Sequence, residues 1–433
     1  MKILPLICSL FICSSLQVFA QTMQHHDAMV EMNHSNSPSL FCMKSHEVLD
    51  LFTGMCSPLP IQGKETGHNM IHGNLFLVGI SQEGPRGRDQ GAAPNMLMLE
   101  HLSNSNSRHS LGVNLMLTFE KWTFPKEGYP ELLQIGEKNH EGIPYIDAQH
   151  PHSSPIMGLT FSDTFRWNDS TKDYMRFFFA PRGQNTEGPI AFMHRNTGMV
   201  NPDAPLGHHI GQDVGHITST VLGTSVNLGD TSWEVSAFHG AEPSPDVVDL
   251  QLGPLDSGAT RIGHQFGENT LGLISFAYIR NPEPDEPEIT FYRRYSASLY
   301  SEWGTDSEWK SYNTFIYGRV ENYDLIPGLN SFAEEFAFKK QPMTLWGRIE
   351  VLERAPKQLQ VNVTDPEHPR WVTAATLGYT HHLLSLSDVD FQAGLSVSKY
   401  FIPSDFRDAY GTDPWAGKIF IQVSGMKIIN KTP

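Results

Sequence analysis

The sequence predicts an all-β fold: an antiparallel transmembrane β-barrel of about sixteen strands (14–18), preceded by a short Met/His-rich segment. Three observations carry this expectation. From about residue 68 onward, apolar and polar residues alternate with period two over segments of about ten residues. No helix-length apolar run follows the first twenty residues. Aromatic residues gather near the ends of the alternating segments.

Residues 1–20 read as a secretory signal peptide. Lys2 gives the positive start, Ile3 to Leu16 is mostly apolar, and Val18-Phe19-Ala20 is small enough for cleavage before Gln21. The apolar run is shorter than the roughly 20 residues a spanning helix needs.

Residues 21–67 have little β pattern and are expected to form a periplasmic lead. They carry Met23, His25, His26, Met29, Met32 and His34, then Met43, His46 and Met55. A flexible run of thioethers and imidazoles can supply two to four ligands to copper, and thioethers favour Cu(I). One short helix is expected, with Ser45 as N-cap, Val48, Leu49, Leu51 and Phe52 on one face, and Gly54 as the stop. Cys42 and Cys56 admit two readings in an exported chain. One is a disulfide closing a loop of about 15 residues, and the other is a pair of soft metal ligands.

Residues 68–433 form the expected barrel. Strand-like segments start near residues 71, 93, 109, 155, 172, 214, 231, 257, 269, 290, 309, 329, 343, 371, 386 and 415. Gly347, Ile349 and Val351 alternate with Arg348 and Glu350, and Ile419, Ile421 and Val423 with Gln422 and Ser424. Trp122, Trp167, Trp233, Tyr300, Trp303, Trp309, Trp346, Trp371, Tyr379, Tyr400 and Trp415 are expected in interfacial girdles. So many strands exceed a typical sandwich and lack a propeller's repeat. Closure also removes sheet edges and satisfies every backbone amide in lipid. Arg176, Arg294, Arg319 and Arg348 fall on the polar parity. They would line an open lumen against Glu234 and Glu350, or form buried pairs that close it.

Two long loops interrupt the strands, near 120–154 and 183–213. Loops of that length are uncommon unless functional or disordered. The first carries Leu133-Gln134-Ile135-Gly136-Glu137 and Gln149-His150-Pro151-His152. The second carries Phe192-Met193-His194-Arg195 and Asn201-Pro202-Asp203-Ala204-Pro205-Leu206-Gly207-His208-His209, with His216 beyond it. If the loops meet, His150, His152, His194, His208, His209 and His216 become candidate metal ligands, or they brace the loops through carbonyls and carboxylates.

A net charge of -16 excludes nucleic acid as a partner. The chain has no Gly-x-Ser-x-Gly elbow and no His-Glu-x-x-His helix, so a non-enzymatic role is expected.

Together the loop motifs resemble those of a little-characterised family of bacterial outer-membrane proteins, often encoded in regions for copper or other heavy-metal resistance. The sequence departs from that pattern at Ile135 and Ser153. The order of Met/His-rich lead and barrel is also similar in architecture to the copper-resistance B-type outer-membrane proteins. The resemblance implies a barrel in the bacterial outer membrane, in contact with its lipid, a channel that contributes to handling copper or a related metal ion. No cofactor is required on this reading, and a copper ion is the candidate ligand. Two other readings stand: a general porin-like or structural barrel without a metal role, and a secreted soluble β-rich enzyme or binding protein.

Overall fold

A computed structural model describes residue 42 and residues 47–430 except 140, 153, 214, 216, 284–286, 306–308 and 323–325, with the backbone alone at 326, 327 and 430. The leader, Met23, His25, His26, Met29, Met32, His34, Met43, Ser45, His46 and His216 lie outside the described residues.

A hairpin of β1 (Glu47–Asp50) and β2 (Met55–Pro58) comes first, then β3 (Thr66–Gln82), β4 (Gln90–Ala92), β5 (Asn95–Asn104) and β6 (His109–Leu117). A second hairpin, β7 (Tyr129–Lys138) and β8 (Pro144–Gln149), interrupts the series before β9 (Ile156–Arg166) and β10 (Tyr174–Gly183). The rest are β11 (Thr218–Leu228), β12 (Thr231–His239), β13 (Ser257–Phe266), β14 (Thr270–Arg280), β15 (Phe291–Trp303), β16 (Lys310–Asn322), β17 (Ile326–Lys340), β18 (Met343–Arg354), β19 (Arg370–Leu386), β20 (Val389–Phe401) and β21 (Trp415–Asn430).

Apart from the two hairpins, these strands form one closed antiparallel barrel. Since β4 and β5 both pair with β3, they count as one interrupted strand, and sixteen strands go round. The hoop closes where β21 pairs with β3, from Ala416 opposite Gln82 to Asn430 opposite His68. The expected barrel of about sixteen strands is the observed one.

The alternation works as the physics of a membrane barrel requires. Leu77, Leu111, Ile274, Leu299, Leu377 and Ile419 are exposed on the outer face, where an aqueous protein would present polar groups. Trp233, Trp303, Trp309, Trp371 and Trp415 are exposed at or just beyond strand ends, where an interfacial girdle belongs. Turns at one end are short, such as Gly229-Asp230 between β11 and β12, with Gly229 at φ +59°. The other end carries the long connections.

Three expectations are corrected. Residues 47–58 form a hairpin, not a helix. The Phe52 N–H donates to Asp50 Oδ1 (2.9 Å), the Gly54 N–H closes on the Asp50 carbonyl (2.8 Å), and Gly54 takes φ +64°. Of the two readings of Cys42 and Cys56 the disulfide is the one observed, and it fastens the hairpin. Trp346, Tyr300 and Tyr400 are buried inside instead of lying in a girdle. Arg319 lies on the outer parity of β16, paired with Glu321 (2.6 Å) and Asn330 (2.9 Å).

Candidate functional site

The lumen is occupied by the protein's own chain. Residues 184–213, after β10, run through it almost wholly buried, and the β7–β8 hairpin packs beside them. Burying so much polar chain requires partners, and the wall supplies them. Arg195, with no exposure, makes a two-pronged contact with Glu335 of β17 (Nε to Oε2 3.0 Å, Nη2 to Oε1 2.8 Å). Thr197 donates to the same carboxylate at 2.7 Å and Arg348 of β18 at 3.1 Å. Arg348 also donates to the carbonyls of Asp203 and Ala204, and the Leu206 N–H donates to Glu350 (2.6 Å). Lys418 of β21 pairs with Asp203, which also accepts the Tyr129 hydroxyl at 2.6 Å. Of the two fates open to the lumenal arginines, burial in pairs is the one observed for Arg176, Arg294 and Arg348.

The loop motifs have physical reasons. Gly136 is needed because a Cβ there would lie 2.8 Å from Tyr145 Cβ and 3.0 Å from the His150 ring. Gln134 crosses to the second loop, its Nε2 donating to the Pro205 carbonyl (3.0 Å). Leu133, at φ +67°, gives its N–H to Asp147 Oδ1 (2.7 Å).

These contacts bring histidines of both loops together near the end with long connections. The His150 ring lies 5.6 Å from His152, 6.3 Å from His208 and 5.7 Å from His209, centroid to centroid, and His208 and His209 are 4.6 Å apart. His152 pairs with Glu120 (2.7 Å) and His208 with Asp213 (3.3 Å). His150 Nδ1 accepts the Glu137 N–H (3.2 Å), which in the neutral ring places the proton on Nε2 and makes this imidazole a brace. His209 Nδ1 faces Glu137 (3.2 Å) and Glu242 (3.8 Å). Glu137, His209 and Glu242 each offer a ligand atom, all within 4.8 Å of one another. Burial, with His208 and His150 alongside, pushes the His209 imidazole well below its usual range. Burial and the neighbouring Glu242 push the Glu137 carboxyl well above its own. A cavity of about 380 Å³ opens beside the trio, lined also by Glu283 and Arg294.

His194 lies elsewhere, deeper in the barrel, its backbone against Gly54 of the first hairpin. The sequence reading missed Glu137 and Glu242 as partners of His209. Glu242 sits in the β12–β13 connection, and only the fold shows that this connection leans over the loops.

No protein-family profile and no curated protein matches the sequence. Among solved structures, the chain is similar to OmpF of Salmonella typhi, solved in complex with daunomycin. The TM-score is 0.53 at 7% identity, covering 83% of this chain and 97% of that one. OmpT of Vibrio cholerae lacking its loop L8 aligns at a TM-score of 0.45 with 8% identity, over 83% and 99% of the two chains. OccAB4 of Acinetobacter baumannii aligns at 0.40 with 10% identity, over 83% and 98%. The likeness to OmpF is one of fold: a porin-type, sixteen-stranded barrel.

Proposed function

We propose that this protein is a non-enzymatic, porin-like barrel of the bacterial outer membrane, closed at rest by its own loops and conducting when they shift. One observation carries the reading. Glu335, with no exposure, holds Arg195 of the inserted loop and Arg348 of the wall at once. A buried carboxylate between two guanidiniums is a latch, since it is the carboxylate that pairs with Arg195 of the inserted loop. Removing one partner of a buried ion pair costs about 3–5 kcal/mol. The two guanidiniums regain water only if the loop leaves the lumen. Single-channel recording in planar bilayers tests this. The wild type is expected to stay mostly closed and Glu335→Gln to open often; a wild type that conducts as an open pore would sink the reading.

A second reading, that the barrel contributes to handling copper or a related metal, draws support from the loop junction. An imidazole with two carboxylates is a donor set for a divalent ion such as Zn(II) or Cu(II). Met23, His25, His26, Met29, Met32 and His34 would capture metal and pass it toward Glu137, His209 and Glu242, while His150, His152 and His208 hold the loops. Titration of the full chain with Cu(II) is expected to lose one bound equivalent in His209→Asn. Equal uptake by wild type and variant would remove the junction from this reading.

A further inference from the structure

Lumen-facing positions of barrel strands are ordinarily polar. Where β21, β3, β5 and β6 run side by side, they are methionine. Met426 stands opposite His72, His72 opposite Met98, and Met98 opposite Met116, so one rung crosses four strands with three thioethers and an imidazole. Met70 and Met96 occupy the flanking inward positions, and Met157 of β9 joins the same buried cluster. Met55 of the first hairpin and Met193 of the inserted loop approach it from the lumen side.

Met193 brings His194 with it. His194 is buried, both its ring nitrogens meet no hydrogen-bond partner, and His72 Nδ1 meets none either. Such atoms carry a desolvation cost that most buried polar groups avoid. A neutral imidazole carries one nitrogen lone pair, and here no hydrogen-bond donor takes it up. His194, Met98 and Met116 line one cavity of about 50 Å³, room enough for an ion. Glu100, paired with His68 at 2.6 Å, lines it too, as do Asp50 and Arg176, which pair with each other at 2.8 Å.

We infer that this rung is a binding site for a soft monovalent d10 ion, Cu(I), held by the thioethers of Met98 and Met116 with the imidazoles of His194 and His72. Neutral sulfur and nitrogen donors suit Cu(I), whereas hard divalent ions need carboxylate or water oxygen. Methionine is also a pliable core filler. Filling alone explains neither its repetition along one rung nor two imidazoles with unmet nitrogens. The inference deepens the metal-handling reading and rests on it for its biological use.

The test is methyl NMR of the refolded full chain labelled at the methionine ε-carbons. The probe is Ag(I), which shares the coordination chemistry of Cu(I) without its redox chemistry. The Met98 and Met116 resonances, assigned by single Leu replacements, are expected to shift at the first equivalents. The Met98→Leu, Met116→Leu double variant should lose one equivalent of tightly bound Ag(I) while migrating on unboiled gels as a folded barrel. His194→Asn, which leaves both methionines in place, should weaken uptake as well. Shifts confined to the methyls of Met23, Met29 and Met32 would overturn the lumenal site and leave metal handling standing. If no methyl moves, the lumenal site and capture by the methionines of the lead both fail.

Discussion

Asp147 shows how one side chain can weigh on a whole insert. It sits in β8 with φ +53°, accepts the Leu133 N–H, and faces Arg86 at 3.2 Å, with the Arg88 guanidinium on its carbonyl. Burial nevertheless raises its carboxyl above the ordinary range, outweighing the Leu133 N–H and Arg86. A folded pKa above the unfolded one contributes stability that is full below the unfolded value and lost as pH rises through the folded value. Asp147→Asn keeps the acceptor and tolerates the left-handed backbone. It is expected to remove that loss, so the melting temperature of the wild type should fall further than that of the variant as pH rises from about 4 through the raised value. Identical pH profiles for the two proteins would count against this account. Residue identity was legible in the sequence more often than residue orientation. Arg348 and Glu350 could be placed inside by parity, but Arg319 and Trp346 were misplaced. Parity separates lipid from lumen only when the lumen is wet. Here inward positions include Ile316, Val320, Ala333 and Trp346, so both faces of these strands carry apolar residues.

Elements were easier to foresee than what they touch. Each expected strand start from 71 to 415 has a barrel strand within about five residues of it, because period two survives wherever one face meets lipid. The first hairpin was misread because Val48, Leu49, Leu51 and Phe52 also fit one side of a helix, and the disulfide that decides the matter is invisible to periodicity. Closing a loop of about 15 residues is worth roughly 3 kcal/mol in the chain-entropy model. Cys42→Ser should therefore loosen residues 47–58 without opening the barrel. The expected result of limited proteolysis is cutting near 51–54 in the variant and none in the oxidised wild type. Contact between loop and wall can be tested at Gly318, where an added Cβ would lie 1.9 Å from the Ile210 carbonyl oxygen. Gly318→Ala is expected to lift the inserted loop and raise open probability in bilayers, with the folded gel mobility retained. Closed traces indistinguishable from wild type would mean that the loop yields locally.

For the molecule as a whole, the apolar belt makes a prediction independent of the loops. Leu377 is mid-strand in β19, 55% exposed, and flanked by Val397 across the pair. Leu377→Arg should cost about 2–4 kcal/mol in folding into lipid vesicles, the penalty for a cation near the bilayer midplane. A soluble β protein would tolerate the change almost freely, and urea-titrated folding into vesicles distinguishes the two. The class of the molecule was readable because hydrophobic alternation is a global constraint. The inward methionines were not among the residues singled out from the sequence, although Asn69-Met70-Ile71-His72 and Met96-Leu97-Met98 carry apolar residues on both parities.

The seam between β3 and β21 has a consequence for assembly. Its partners, such as His72 and Met426, are about 350 residues apart in sequence, and until they meet the sheet has two raw edges. The newly made chain must therefore be escorted to the membrane as an unfinished ribbon. Damage to the last strand leaves β3 and β20 without their shared partner, so the ring cannot close.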